Sequence, residues 1–236
     1  MKSVQTGILL KKLNYSETSL ILHFYTLEEG FKPFLFQGGK KKKGNILHPL
    51  SIVEIESYQR PDSELGKIST ISPQPVLQSI PVHPVKGGLA FFLTELIAQC
   101  LKSSDSDPRL FRFLITEIKW LDNTTEITNY PIWFLIKFAD LLGFSPHILE
   151  ENPIYFDLEE GELTRFQPKG HVFVQDDTIP ILEELLNKNK PEFMINKINK
   201  TLRKQLINNL IDYYKQHISN FNTPKSLEVM QTVFNE

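Results

Sequence analysis

The hydrophobic period of this 236-residue chain changes once, at a proline-rich segment, and that change limits the fold more than any other feature. Before about residue 80 the apolar residues come in short runs, several alternating with polar ones. After it they recur at helical spacing. The early runs are Val4–Leu13, Thr18–Thr26, Phe31–Gln37, Leu50–Tyr58 and Gly66–Ile71, all rich in Ile, Leu, Val, Phe and Tyr. In the fourth run Ile52, Glu54 and Glu56 fall on one face, with Val53 and Ile55 on the other. Turn residues join the runs: Glu28-Glu29-Gly30, Gly38-Gly39 and Arg60-Pro61-Asp62. Five short strands without a long helix predict a small antiparallel barrel over residues 1–80. Residues 72–84 hold Pro73, Pro75, Pro81 and Pro84, which predicts an extended connector and a second domain over 81–236.

In that second part Leu89, Phe92, Leu93, Leu96, Ile97, Cys100 and Leu101 form one helical stripe. Asp107-Pro108 reads as a helix cap followed by proline at the first position, opening a helix through Leu110, Phe113, Leu114, Ile118 and Leu121. A third helix, Pro131 to Leu142, is apolar nearly all round and stops at Gly143. Tyr155 to Leu163 has strand-turn-strand character, a β-hairpin within about 153–175. A helix is expected from about Thr178 to Asn189, a long one from about Glu192 to Ser219, and a short terminal one after Thr223-Pro224. The fold class expected is α+β, a barrel followed by a mainly α-helical domain carrying a small hairpin.

Hydrophobic residues make up 41% of the chain and charged residues 23%, enough to bury a core and too ordered a composition for a disordered chain. The single Cys100 excludes an intramolecular disulfide and a cysteine-rich zinc site. Ile8 to Leu10 is too short for a signal-peptide core, and the densest apolar stretch, Tyr130 to Leu142, is broken by Lys137 and Asp140, so a cytoplasmic location is expected. The net charge of −2 hides an uneven distribution: +3 in residues 1–80, −2 in 81–150, −5 in 151–190 and +2 in 191–236.

The sharpest local feature is Gly38-Gly39-Lys40-Lys41-Lys42-Lys43-Gly44. Four adjacent ammonium groups cannot form a core; they suit phosphate contacts, or simply a solvated loop. Lys11 and Lys12 join them as candidate phosphate contacts. In the preceding strand Phe34 and Phe36 share a face with Lys32, as a base-stacking platform would, or belong to the core. In the last long helix Lys197, Lys200 and Lys204, with Arg203 beside them, extend a basic surface or form an ordinary polar face. Enzyme signals are missing: no P-loop, no Gly-x-Gly-x-x-Gly, no nucleophile elbow and no His-Glu-x-x-His. Cys100 reads as a core residue, and the acidic run Asp157 to Glu162 as an exposed turn rather than a metal site. No catalytic residue, metal or cofactor is expected.

Three stretches resemble the RecO family of bacterial recombination mediators. The first is Thr6 to Leu22 with Tyr25-Thr26 and Gly30; the second is Gly38-Gly39 with the lysine run and His48-Pro49-Leu50; the third is Tyr213 to Ile218 with Lys225-Ser226-Leu227. Leu141 to Pro146 lies between them, and it is the order of all these that carries the resemblance. It implies an N-terminal OB-fold and a C-terminal helical domain. It also implies binding of single- and double-stranded DNA, annealing of complementary strands without ATP, and partnership with RecR and the C-terminal tail of the single-strand binding protein SSB. Together these load RecA on gapped DNA, in the bacterial cytoplasm at the nucleoid. Many members of the family carry a four-cysteine zinc site after the central helices; residues 151–170 here contain no cysteine, so no zinc is expected. The rival expectation is an OB-barrel adaptor that binds only proteins.

Overall fold

The computed structural model describes residues 2–40, 47–59, 63, 65–102, 104–170 and 172–234. Two compact units divide the chain: residues 1–124 with 224–233, and residues 125–223 with 234–236.

The first unit opens with five strands: β1 (Lys2–Asn14), β2 (Leu20–Thr26), β3 (Gly30–Phe36), β4 (Ile52–Tyr58) and β5 (Gly66–Pro73). They close into a barrel in the order β1-β2-β3-β5-β4. All neighbours are antiparallel except β3 and β5, which pair in parallel at Phe34–Gly66 and Leu35–Lys67. The alternating runs predict a small barrel and the family resemblance implies an OB-fold; the closed five-stranded barrel agrees with both, apart from its one parallel pair. Closure removes the exposed edges that a five-stranded open sheet would present. The interior is filled by Leu9, Leu20, Leu22, Phe24, Phe34, Phe36, Val53, Ile55, Ile68 and Ile71.

Three helices complete the unit. α1 (Pro84–Cys100) follows the stripe expected of it. α2 (Pro108–Asn123) starts at Asp107, whose carboxylate accepts from the Arg109 and Leu110 amides at 2.7 and 3.3 Å. The connector before α1 is held by Asp122: one carboxylate oxygen accepts from Ser79 N and Ile80 N at 2.8 and 2.9 Å, the other from Gln78 N at 2.9 Å. Burial alone would raise the Asp122 pKa, but these three amides outweigh it and hold the carboxyl below its usual range. The helix that closes the unit (Ser226–Val233) packs on α1, and the Glu95 carboxylate of α1 accepts from Lys225 N, Ser226 N and Ser226 Oγ.

The second unit is built on α3 (Tyr130–Leu142), buried on most sides and ended by Gly143 in the left-handed region at φ 90°. The expected hairpin is present as β7 (Tyr155–Asp157) and β8 (Glu162–Thr164). It is the middle of a four-stranded sheet, order β6-β8-β7-β9, whose outer strands β6 (His147–Ile148) and β9 (Phe173–Val174) are too short to show a period. The acidic turn is closed by its own side chain, Asp157 accepting from Glu159 N and Glu160 N. Then come α4 (Ile179–Leu186), α5 (Lys190–Met194) and α6 (Lys200–His217). The helix that closes the first unit is accordingly α7.

The long helix expected over 192–219 is therefore two. The first helix, α5, ends at Met194, and Asn199 caps α6 by accepting from Leu202 N at 2.9 Å. The buried Asn129 amide fixes the break, donating toward Phe193 O, Met194 O and Asn196 O. Tyr214 Oη of α6 donates to Leu135 O of α3 at 2.8 Å, and Tyr213 Oη bonds Phe144 O.

Candidate nucleic-acid interface

Strand alternation decides which barrel side chains meet solvent. In β2, Leu20, Leu22 and Phe24 point inward, so Ile21, His23 and Tyr25 point outward. β1 keeps pace with β2 up to Leu9–Phe24, then slips by one residue, so Lys11 pairs with His23 and Lys12 with Leu22. The slip is a β-bulge at Leu10. It sends the two neighbouring lysines to opposite sides. Lys11 shares the outer face with His23, while Lys12 lies on the inner row at the barrel mouth and donates from Nζ to Leu47 O at 3.4 Å.

Lys32 is partly exposed and ion-paired to Glu29 at 2.7 Å. Lys40 is half-buried at the β3 end, its amide donating to Thr18 O of the β1–β2 connection at 3.2 Å. Lys41, Lys42 and Lys43 lie outside the described residues.

Phe34 and Phe36 are each 2% exposed. Phe34 stands edge-on to Phe24, with ring centroids 5.9 Å apart. Glycine backbone covers both rings: a Cβ on Gly66 would sit 2.8 Å from the Phe34 ring, and one on Gly39 2.6 Å from that of Phe36. Neither ring presents a face to a base, so of the two readings of this strand the core one describes the structure.

The basic residues near α6 do not form one helical face. Lys197 lies in the segment between α5 and α6, and only Lys200 and Lys204 share the helix at i, i+4 spacing. Lys197, Lys200 and Lys204 are exposed. Arg203 turns inward, donating from Nη2 to Ile198 O at 2.7 Å and from Nε to Asn129 Oδ1 at 3.4 Å. It serves the helix break rather than a surface.

The first unit also holds a groove of about 570 Å³ that sequence reading did not single out. The barrel contributes Leu10, Lys11, His23 and Phe31; α1 and the residue group after it contribute Phe91, Glu95 and Lys102; the start of α7 contributes Lys225. These residues are far apart in sequence, and each alone looks ordinary. Desolvation, and secondarily the charge of Lys11, lowers the His23 pKa, so its ring is neutral at pH 7. Among the described residues no group of three or more His, Cys, Asp and Glu could hold a metal ion. No helix among them is long and apolar enough to cross a membrane.

The sequence matches two family models in succession: recombination protein O N terminal over residues 1–74, and recombination protein O C terminal over residues 84–227. The chain belongs to the RecO family of DNA repair proteins. Among similar RecO proteins, that of Azobacteroides pseudotrichonymphae is 30% identical over 234 residues, and that of Flavobacterium psychrophilum 28% over 233, each match covering 97% of both chains. The Bacteroides fragilis DNA repair protein RecO is 29% identical over 235 residues, again 97% of each chain. The RecO N-terminal match coincides with the barrel. The C-terminal match takes in α1 to α6 and reaches the start of α7.

Proposed function

We propose that the protein is a DNA-binding recombination mediator whose contacts with nucleic acid are made mainly by the barrel. The observation that carries this reading is an OB barrel in a RecO-family chain that carries Lys11 on the outer face of β1, Lys32 on β3 and Lys40 just after β3, with Lys41 to Lys43 following in sequence. Lysines on a barrel rim act as point charges on phosphates and release counterions, without reading bases. Such contacts serve single and double strands alike. They also explain annealing without ATP: the protein need only neutralise two backbones and hold them close enough to pair. With RecR, the protein would help load RecA on strands covered by SSB. The acidic, apolar-ended tail of SSB would be received by a helical groove offering apolar walls and a lysine. Lys197, Lys200 and Lys204, exposed on the second unit, are further candidate phosphate contacts.

The test is a fluorescence-anisotropy titration with labelled single-stranded DNA at two salt concentrations, comparing the parent with a variant in which Lys40 to Lys43 are all alanine. Each phosphate contact on a single strand contributes about 0.7 to the slope of log affinity against log salt, so four lost contacts flatten it by up to roughly 2.8. Unchanged affinity and slope would reject these lysines as contacts. No DNA binding by the parent would favour the protein-only adaptor.

A further inference from the structure

We propose that the groove between the barrel's outer face and α1 is a nucleobase site, which takes an unstacked base of a bound single strand against Phe91 and the His23–Phe31 ring pair. The inference rests on the DNA-binding reading and deepens it by giving the strand a place.

The groove's chemistry fits a nucleotide. Three rings line it: Phe91 is 58% exposed on α1, and the His23 and Phe31 rings lie 5.6 Å apart on the barrel side. Flat π-surfaces match the faces of bases. Three lysines, Lys11, Lys102 and Lys225, line the same groove, against one carboxylate, Glu95. That carboxylate is engaged by two amides and a hydroxyl at the start of α7, at 2.9, 3.0 and 2.6 Å. The groove is thus a net cationic cleft with an aromatic lining, the pairing that single-strand sites use. Its volume, about 570 Å³, is on the scale of a nucleotide and too small for a duplex.

Two features favour a base over a protein tail. The aliphatic lining is confined to Leu10 and Ala98, too little to seat the apolar end of a peptide. The site is also continuous with the outer barrel face that carries Lys11. A duplex hides the faces of its bases, so Phe91 can distinguish single from double strands where the rim lysines do not.

The test uses the full chain and oligonucleotides carrying 5-iodouracil, cross-linked by light, with the modified peptides mapped by mass spectrometry. Cross-links are expected in peptides containing His23, Phe31 or Phe91. Phe91→Ala, a change at an exposed position, is expected to weaken single-strand affinity about tenfold and duplex affinity less than twofold. Lys102→Ala and Lys225→Ala should each lower the single-strand salt slope by about 0.7. Cross-links confined to other peptides, with Phe91→Ala binding like the parent, would overturn the groove while leaving DNA binding by the protein intact. An acidic peptide blocked by Phe91→Ala, in a variant whose single-strand affinity is unchanged, would assign the groove to a protein partner and also overturn it. A parent that binds no DNA would remove the reading on which the proposal rests.

Discussion

Replacing Phe34 by alanine removes a ring that is 2% exposed, stands edge-on to Phe24 and is covered by the backbone of Gly66. The void has little to fill it. Gly66 has no side chain to extend, and its backbone is fixed in the parallel pairing with Phe34 itself. The loss therefore falls in the usual range for a buried phenylalanine, about 3–5 kcal/mol. With a urea dependence of roughly 2 kcal/mol per molar, the unfolding midpoint drops by roughly 1.5–2.5 M. Phe34→Leu keeps most of the volume and costs about 1 kcal/mol, or roughly 0.5 M, so it remains folded for binding measurements. Two assays decide: urea unfolding followed by circular dichroism, and anisotropy with single-stranded DNA. The expected pair of results is a lowered midpoint for both variants and a Phe34→Leu affinity within about twofold of the parent, below any stacking loss. A Phe34→Leu midpoint like the parent's, with affinity lost tenfold, would refute the core assignment and return Phe34 to the interface.

Asp122→Ala deprives the connector of three amide contacts, two of them part-buried, and is expected to lower stability by about 2 kcal/mol; a melting temperature within one degree of the parent would show that water replaces the carboxylate. Asp122, Glu95 and Asp176, the last accepting from Thr178 N and Oγ1 and from the Gln205 and Asn209 side-chain amides, are each subject to burial that raises their pKa and to hydrogen bonds that more than offset it, so their folded values lie below the unfolded ones. Their contribution is complete above about pH 5 and is lost as pH falls through the folded values, so urea midpoints should drop between about pH 5 and pH 3; a flat profile would contradict the hydrogen bonds. Arg203→Ala should lower thermal stability and leave the DNA salt slope unchanged, whereas a slope flattened by about 0.7 without loss of stability would make it a phosphate contact.

The barrel was legible because its strands alternate and its turns carry glycine, proline and acidic residues, so period and punctuation agree. The helix break at 195–199 was not, because Ile195 and Ile198 continue an apolar spacing although Ile195 is 69% exposed and only Ile198 is buried. What ends α5 there is a tertiary contact, the Asn129 amide, which no local window contains. Strands β6 and β9 escaped because two residues cannot display a period of two. Of the candidate site, the lysines could be found by charge alone. Their directions could not: Lys11 and Lys12 look equivalent in sequence, and Arg203 looks like a surface residue until its hydrogen bonds are seen. The groove gathers three distant segments, so its aromatic and cationic lining exists only once they pack.

The slipped register at Leu10 bears on which changes of length this strand can survive. At Gly7 and Ile8 strand β1 is paired on both sides, to β2 and to β4, and adding or deleting a residue there would exchange its core and solvent rows against two neighbours at once. Between Leu9 and Lys11 the chain already carries one residue more than its partner. Deleting Leu10 would restore a regular ladder and leave Lys11 opposite His23, while Lys12 stayed opposite Leu22. Related barrels are therefore expected to differ in length at this position more readily than anywhere earlier in the strand, with the outward lysine preserved across the gap.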